Sequence, residues 1–205
     1  NHQPMMAYWH GRFYVHYLSD EKDEQVPPSH TNLQTSADGY TWTNPVVLFP
    51  EYHVPEGFKK EGVPGEAHNL IAVMHQRQGF YVSKDDHLYA LGTYGVCLNK
   101  TDHNTDGNGI GRVLREIKAD GTFGPIYFIY YNHGFNEHNT DYPNWRKGNK
   151  YLRRACTEIL ASPRMLMGWV EEADRGDTLI PLNKEYKAYN DYTLPNGNII
   201  AFWKH

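Results

Sequence analysis

The chain has 205 residues, of which 40% are hydrophobic and 21% charged, and it carries a formal net charge of −4. That is one domain's worth of residues, long enough to bury a core and too apolar for a disordered chain. The lack of a Lys/Arg block excludes a nucleic-acid footprint, and no apolar run approaches the roughly 20 residues of a membrane-spanning helix.

The chain begins at Asn1 rather than at a methionine, which reads as a removed N-terminus or an incomplete chain. Short hairpins then follow one another. Residues 5–18 read as strand, His10-Gly11 turn, strand. Residues 31–48 carry an Ala37-Asp38-Gly39 turn, then Tyr40 and Trp42, then Pro45 and an apolar strand. Asp-Gly between alternating apolar runs is a strong hairpin signal. Residues 79–94 turn at Lys84-Asp85-Asp86. Residues 112–129 repeat the second pattern, with Ala119-Asp120-Gly121, Phe123 and Pro125. Leu152, Ala155, Ile159 and Leu160 sit at helical spacing over 151–161, and Ser162-Pro163 stops that helix. A second short helix is expected over 163–173, and a last hairpin over 192–203, turning at Pro195-Asn196-Gly197. Segments 50–67, 98–109 and 132–148 are polar loops, the kind that carry function on a rigid scaffold.

The composition agrees with an all-β fold. Sixteen Tyr and five Trp suit pleated, half-buried surfaces, and 18 Gly with 12 Pro supply turns. Two kinds of hairpin alternate, and a pair of hairpins makes the four-stranded sheet of a propeller blade. The expected fold is therefore part of a single β-propeller domain over 1–205, with a helical insertion near 150–173. Five hairpins make about two and a half blades, whereas closed propellers have roughly four to eight, so the remaining blades lie outside this chain. A self-contained β-sandwich is the alternative. Cys97 and Cys156 are isolated, form no metal signature and do not indicate a disulfide.

Ser36-Ala37-Asp38-Gly39-Tyr40-Thr41-Trp42 resembles the Asp-box of sialidase-like propellers, a structural turn in which the Asp caps the backbone. The copy at Asp120-Gly121 keeps the turn and lacks the Trp. Twelve His are many for 205 residues. Several lie in polar motifs: Asn1-His2-Gln3-Pro4, Ala67-His68-Asn69, Met74-His75-Gln76-Arg77 and Asn132-His133-Gly134. Asp102-His103-Asn104-Thr105-Asp106-Gly107 has oxygen ligands at alternate positions, as a Ca²⁺ loop has. It lacks the closing Glu, because Val113 stands at the twelfth position, and a solvated Asx-rich loop is the plainer reading. Zn²⁺ on His and Cys97 is the other metal candidate. No cofactor is required by any motif.

Segments 1–14, 75–82, 91–95 and 109–129 resemble the bacterial sialidase-like propellers of polysaccharide utilisation. Within that group they are similar to the seven-bladed enzymes that cleave between L-rhamnose and D-glucuronate, the ulvan lyases and the rhamnosyl-glucuronate lyases or α-L-rhamnosidases. The resemblance spans residues 1–131. It implies a secreted or periplasmic enzyme, seven-bladed when complete, with a uronic-acid polysaccharide as its partner and β-elimination as its reaction. It places His2 as acid/base, Tyr94 as its proton-transfer partner and Arg112 as the carboxylate neutraliser, because elimination next to a carboxylate needs a cation on the developing charge. A second His is implied, and His16, His68 and His75 compete for it. His68, His75, Arg77, Arg115, Tyr130, His133, Trp145 and Arg146 are the expected substrate contacts. Arg112 and Arg115 flank two residues of one strand, so they point to opposite faces, and one of them is expected in a structural ion pair.

Two other chemistries compete. Hydrolysis needs paired carboxylates, for which Glu66, Asp85, Asp86, Glu137 and Asp141 are candidates. A sialidase would gather an arginine triad, for which Arg77, Arg112 and Arg146 are candidates. A non-catalytic glycan binder would use Tyr142-Pro143-Asn144-Trp145 as a stacking platform.

Overall fold

The computed structural model describes residues 2–22, 26–60, 62–75, 79–102, 109–132, 134–162, 165, 192–193 and 199–200. For His2, Gln3, His75 and residues 192–193 and 199–200 it gives the backbone alone. The second helix expected over 163–173 lies outside the described residues, except for Met165.

β1 (His2–Trp9), β2 (Arg12–Asp20), β3 (Ser29–Ser36) and β4 (Val46–Phe49) form one antiparallel sheet in sequence order. The β1–β2 turn is closed by His10 at φ 48° and Gly11 at φ 74°, the two positive values that a tight two-residue hairpin needs. Along β2, Tyr14, His16 and Leu18 are buried while Phe13, Val15 and Tyr17 are half-buried, the period-two signature of a strand. The Asp-box residues close the β3–β4 connection. The Asp38 carboxylate accepts from the backbone N–H of Thr41 at 2.7 Å and of Tyr40 at 2.8 Å, and Ser36 Oγ donates to it at 3.0 Å. Those donors, Thr41 first, hold the Asp38 carboxyl down at about 2.

β5 (Val73–His75), β6 (Phe80–Val82), β7 (Leu88–Gly95), β8 (Gly111–Ile117) and β9 (Phe123–Tyr131) form the second sheet. β5 and β6 both pair with β7, so together they act as one interrupted first strand, and the sheet is again a four-stranded meander. The hairpins expected at 5–18 and 31–48, and at 79–94 and 112–129, thus pair into two sheets. Of the fifth hairpin, β10 (Tyr192–Thr193) and β11 (Ile199–Ile200) pair antiparallel, and the rest lies outside the described residues.

The main core lies between the two sheets. Trp9, Tyr14, Leu33, Leu48 and Phe49 meet Met74, Leu88, Tyr94, Val113 and Phe128. Polar ties cross the same interface. Met74 N–H donates to Ser29 Oγ at 2.8 Å, and the Arg115 guanidinium donates to Leu48 O at 2.6 Å and to Gly124 O at 2.8 Å. The other face of the second sheet carries Tyr89, Leu91, Leu114 and Ile129, covered by α1 (Lys150–Leu160). Asn149 caps α1, accepting from Tyr151 N and Leu152 N, and the helix buries Leu152, Ala155, Cys156 and Ile159. Burying Leu152 and Ile159 contributes about 1.5–3 kcal/mol each. No disulfide joins the buried Cys97 and Cys156.

The sheets have two unlike ends. At one end lie the short turns 10–11, 37–45, 83–87 and 118–122. They are on the same side of the molecule, because Asp86 takes a hydrogen bond from Trp9 Nε1 at 2.8 Å and pairs with His10 Nε2 at 2.6 Å. At the opposite end lie the described parts of the long loops 50–72, 96–110 and 132–144.

Candidate functional site

The long loops pack on one another at their end of the sheets. The Tyr52 ring lies 4.9 Å from that of Tyr94 and 5.2 Å from that of Tyr142, and Phe58 stacks on Phe135 at 4.3 Å. The buried Lys60 ammonium donates to Asp102 at 2.8 Å and to Val96 O at 2.9 Å, and Leu98 N–H donates to the other Asp102 oxygen at 2.8 Å. Burial pushes the Tyr52 hydroxyl up to about 12, against the Asp141 N–H that donates to it at 2.8 Å.

Tyr94 belongs to this packed cluster. It is 0% exposed, its hydroxyl donates to Pro50 O at 2.7 Å, and burial holds its proton well above the usual phenol range. In this chain Tyr94 therefore packs within the loop cluster, with its hydroxyl bonded to a backbone carbonyl. His16, one of the competitors for the second His, is also a core residue, 5.2 Å from the Phe80 ring and 6.1 Å from that of Phe49.

The register gathers four sequence positions into one row across the second sheet. His75 pairs with Thr93, Thr93 with Arg112, and Arg112 with Tyr130. Directly opposed residues share a face, so Thr93, Arg112 and Tyr130 lie side by side, with Tyr130 packed against the cluster that α1 covers and the His75 backbone next in register. Arg112 is 2% exposed, and its guanidinium donates to Thr93 Oγ1 at 3.3 Å. Arg115 points to the opposite face, as the spacing requires. There it brackets two backbone carbonyls and lies 4.8 Å over the Phe123 ring, so it bonds carbonyls where an ion pair was expected. Those bonds tie Arg115 into the interface between the sheets.

A second feature lies along the outer strand of the same sheet. The segment 143–147 runs beside β9, with Phe128 N–H donating to Pro143 O at 2.9 Å. It borders a cleft of about 410 Å³ lined by Tyr131, Asn136, Glu137, Asn144, Arg146 and Lys147. The Arg146 guanidinium covers the Trp145 ring at 4.9 Å, and Trp145 packs toward α1. Tyr142 is half-buried among Tyr52, Tyr94 and Phe128. The expected aromatic platform at 142–145 is therefore a polar wall instead. The cleft falls within the polar loop 132–148, and nothing in the sequence singled out Asn136 or Lys147.

The remaining candidates are dispersed. His68 is exposed and held by Glu56 at 2.5 Å and Glu66 at 3.1 Å, and the hydrogen bond to Glu56 raises its pKa. Asp85 pairs with Arg154 at 2.6 Å, Glu137 with Lys147 at 2.8 Å, and Asp86 ties two turns together. Asp102 is occupied by Lys60 and by the Leu98 N–H, which leaves it no part in a Ca²⁺ loop. Among the described residues no three His, Cys, Asp or Glu side chains converge as metal ligands. Arg77, Asn104, Asp106 and His133 lie outside the described residues. His2 is placed by its backbone alone, pairing with Leu18 at the loop end of β1.

The model of one protein family, "Beta-prop_BT_1020:-like, N-terminal beta propeller", matches residues 1–186. The chain belongs to this propeller family. The two meanders are accordingly blades of a propeller, which retires the sandwich alternative. A solved structure named as a sialidase matches with 62% identity and a TM-score of 0.85, over 100% of this chain and 19% of that one. The chain is thus a sialidase-like propeller segment that spans about a fifth of the length of that protein. A xylan β-1,4-xylosidase from Bacillus halodurans C-125 matches with 18% identity and a TM-score of 0.38, over 64% of this chain and 20% of that one, too slight a likeness to support an inference. No curated protein matches the chain.

Proposed function

We propose that the chain is part of a secreted or periplasmic bacterial glycosidase whose propeller binds a carboxylate-bearing sugar at the long-loop end and releases it by hydrolysis. The observation that carries this reading is the 62% identity with a sialidase over the whole chain, since a sialidase acts on a sugar that carries a carboxylate. The row His75–Thr93–Arg112–Tyr130 supports it. Arg112 supplies a fixed positive charge beneath the loop-end surface, where the low dielectric strengthens its pull on an anion. His2 stands at the same end and is the candidate acid/base. The other catalytic groups come from blades outside this chain, because a propeller face draws on several blades.

β-Elimination at a rhamnose–glucuronate bond uses the same carboxylate recognition. The burial of Tyr94 weighs against it, because the proton-transfer partner that reaction needs is locked in the core. The test is to incubate the complete protein with sialyllactose, ulvan and rhamnose–glucuronate-capped arabinogalactan, with Arg112→Ala beside it. Release of an acidic sugar without new ultraviolet absorbance supports hydrolysis. Rising absorbance from an unsaturated uronate overturns hydrolysis in favour of a lyase. Binding without any product leaves a glycan-binding propeller and refutes the enzyme.

A further inference from the structure

We propose that the cleft between β9 and the segment 143–147 is an accessory subsite for an anionic sugar residue, with Arg146 as its charge-reading ligand. The proposal rests on the glycan reading given above, but the cleft lies along the outer strand of the second sheet, on different residues from the His75–Arg112 row. Its volume of about 410 Å³ falls within the roughly 300–1,000 Å³ of small-ligand sites.

The chemistry of the lining sets the ligand class. Asn144 spends its side-chain oxygen on Arg146 N at 3.0 Å, and Asn136 spends its own on His138 N at 2.8 Å. With the oxygens so used, the NH₂ groups remain as the donors these two amides can offer to ligand hydroxyls. Glu137 and Lys147 neutralise one another at 2.8 Å. Arg146 makes no ion pair among the described residues, so the cleft keeps one net positive charge. Its guanidinium lies 4.9 Å from the centre of the Trp145 ring, a cation–π contact that favours its placement at the cleft. A planar guanidinium next to two amide donors suits a hydroxylated ring that carries a carboxylate or sulfate.

Trp145 makes the site observable. The complete protein is labelled with 5-fluorotryptophan, and the Trp145 resonance is assigned by its loss in Trp145→Phe. Glucuronate, galactose 6-sulfate and glucose are then titrated in turn. The expected result is a saturable shift of the Trp145 resonance with an anionic sugar and none with glucose. Arg146→Gln, read by the same resonance, weakens that binding about tenfold or more, the loss of one charge-assisted hydrogen-bond pair, and Arg146→Lys restores part of it. A response to glucuronate alone names a carboxylate as the ligand, and a response to galactose 6-sulfate alone names a sulfate. A Trp145 resonance unmoved by either anion overturns the subsite, even if the protein cleaves its glycan. A shifted resonance in a protein that cleaves nothing upholds the subsite and refutes the glycosidase. Equal affinity in Arg146→Gln and the parent removes Arg146 from the site and overturns the proposal.

Discussion

Replacing Asp102 with Ala tests how the loop end is held together. The Lys60 and Asp102 side chains are 0% and 1% exposed and lie 2.8 Å apart. Removing the carboxylate takes away a counter-charge that lies against a buried ammonium, a change that costs about 3–5 kcal/mol. Each kcal/mol lowers Tm by about 2–4 °C for a domain of about 150–250 residues and by less for the larger complete propeller, so its transition is expected to fall by several degrees. Asp102→Asn keeps an acceptor for the Leu98 N–H and falls less. The double variant Lys60→Met/Asp102→Leu removes both charges and regains stability over Asp102→Ala, because apolar replacement of a buried pair is often neutral or better. Scanning calorimetry of the complete protein reads all three, with and without EDTA. A fall below about 1 kcal/mol for Asp102→Ala, or a double variant no more stable than the single one, refutes the buried-pair reasoning. A fall with EDTA that vanishes in Asp102→Ala would instead return Asp102 to a cation loop.

Three further outcomes are expected. Gly111 has φ +153°, and a Cβ there would run into the Tyr130 carbonyl, so Gly111→Ala should cost about 2–4 kcal/mol in denaturant unfolding; a neutral effect would refute the close approach. Tyr94→Phe should lose about 0.5–1.5 kcal/mol with the Pro50 hydrogen bond and keep turnover, whereas loss of turnover at full stability would restore Tyr94 to the catalytic site. His68 should titrate above 6.5 by NMR and return toward that value in Glu56→Gln. Its folded pKa is raised, so its contribution to stability is full below the unfolded value and is lost as pH rises through the folded one. A His68 pKa that ignores Glu56→Gln would sink that assignment.

Turns and strand faces were legible because they rest on local chemistry. His10-Gly11, Asp38-Gly39 and Asp120-Gly121 announce backbone conformations that few other residues adopt, and the structure puts a turn at each. Pairing the hairpins into blades followed from their repetition. The opposite faces of Arg112 and Arg115 followed from spacing alone. The partners of those side chains did not, because a partner is set by which loops meet in space. Arg115 gave no sign that it reaches Leu48 O, and Lys60, an unremarked residue in a polar loop, turned out to anchor Asp102. The surroundings of Tyr94 were hidden for a related reason. A buried aromatic and a catalytic tyrosine look alike in sequence, and what separates them is the packing of Tyr52, Tyr142 and Pro50 around the ring.

The contrast between the two ends of the sheets bears on where a ligand can be read. At the turn end the polar groups are spent on the turns themselves. Asp38 is used by its own backbone, Asp120 by Thr122, and Asp86 by Trp9 and His10. A turn satisfied in this way has little left to offer a ligand, and its requirements are structural. At the loop end, polar residues are held in place by burial or by stacking instead. Thr93 and Arg112 share a cross-strand row, and the Arg146 guanidinium lies 4.9 Å from the centre of the half-buried Trp145 ring. Ordering a long cation at a surface ordinarily costs side-chain entropy at the moment of binding. If the subsite proposed above binds its anion, the Trp145 face would meet part of that cost in advance, and a single guanidinium could then distinguish a charged sugar from a neutral one.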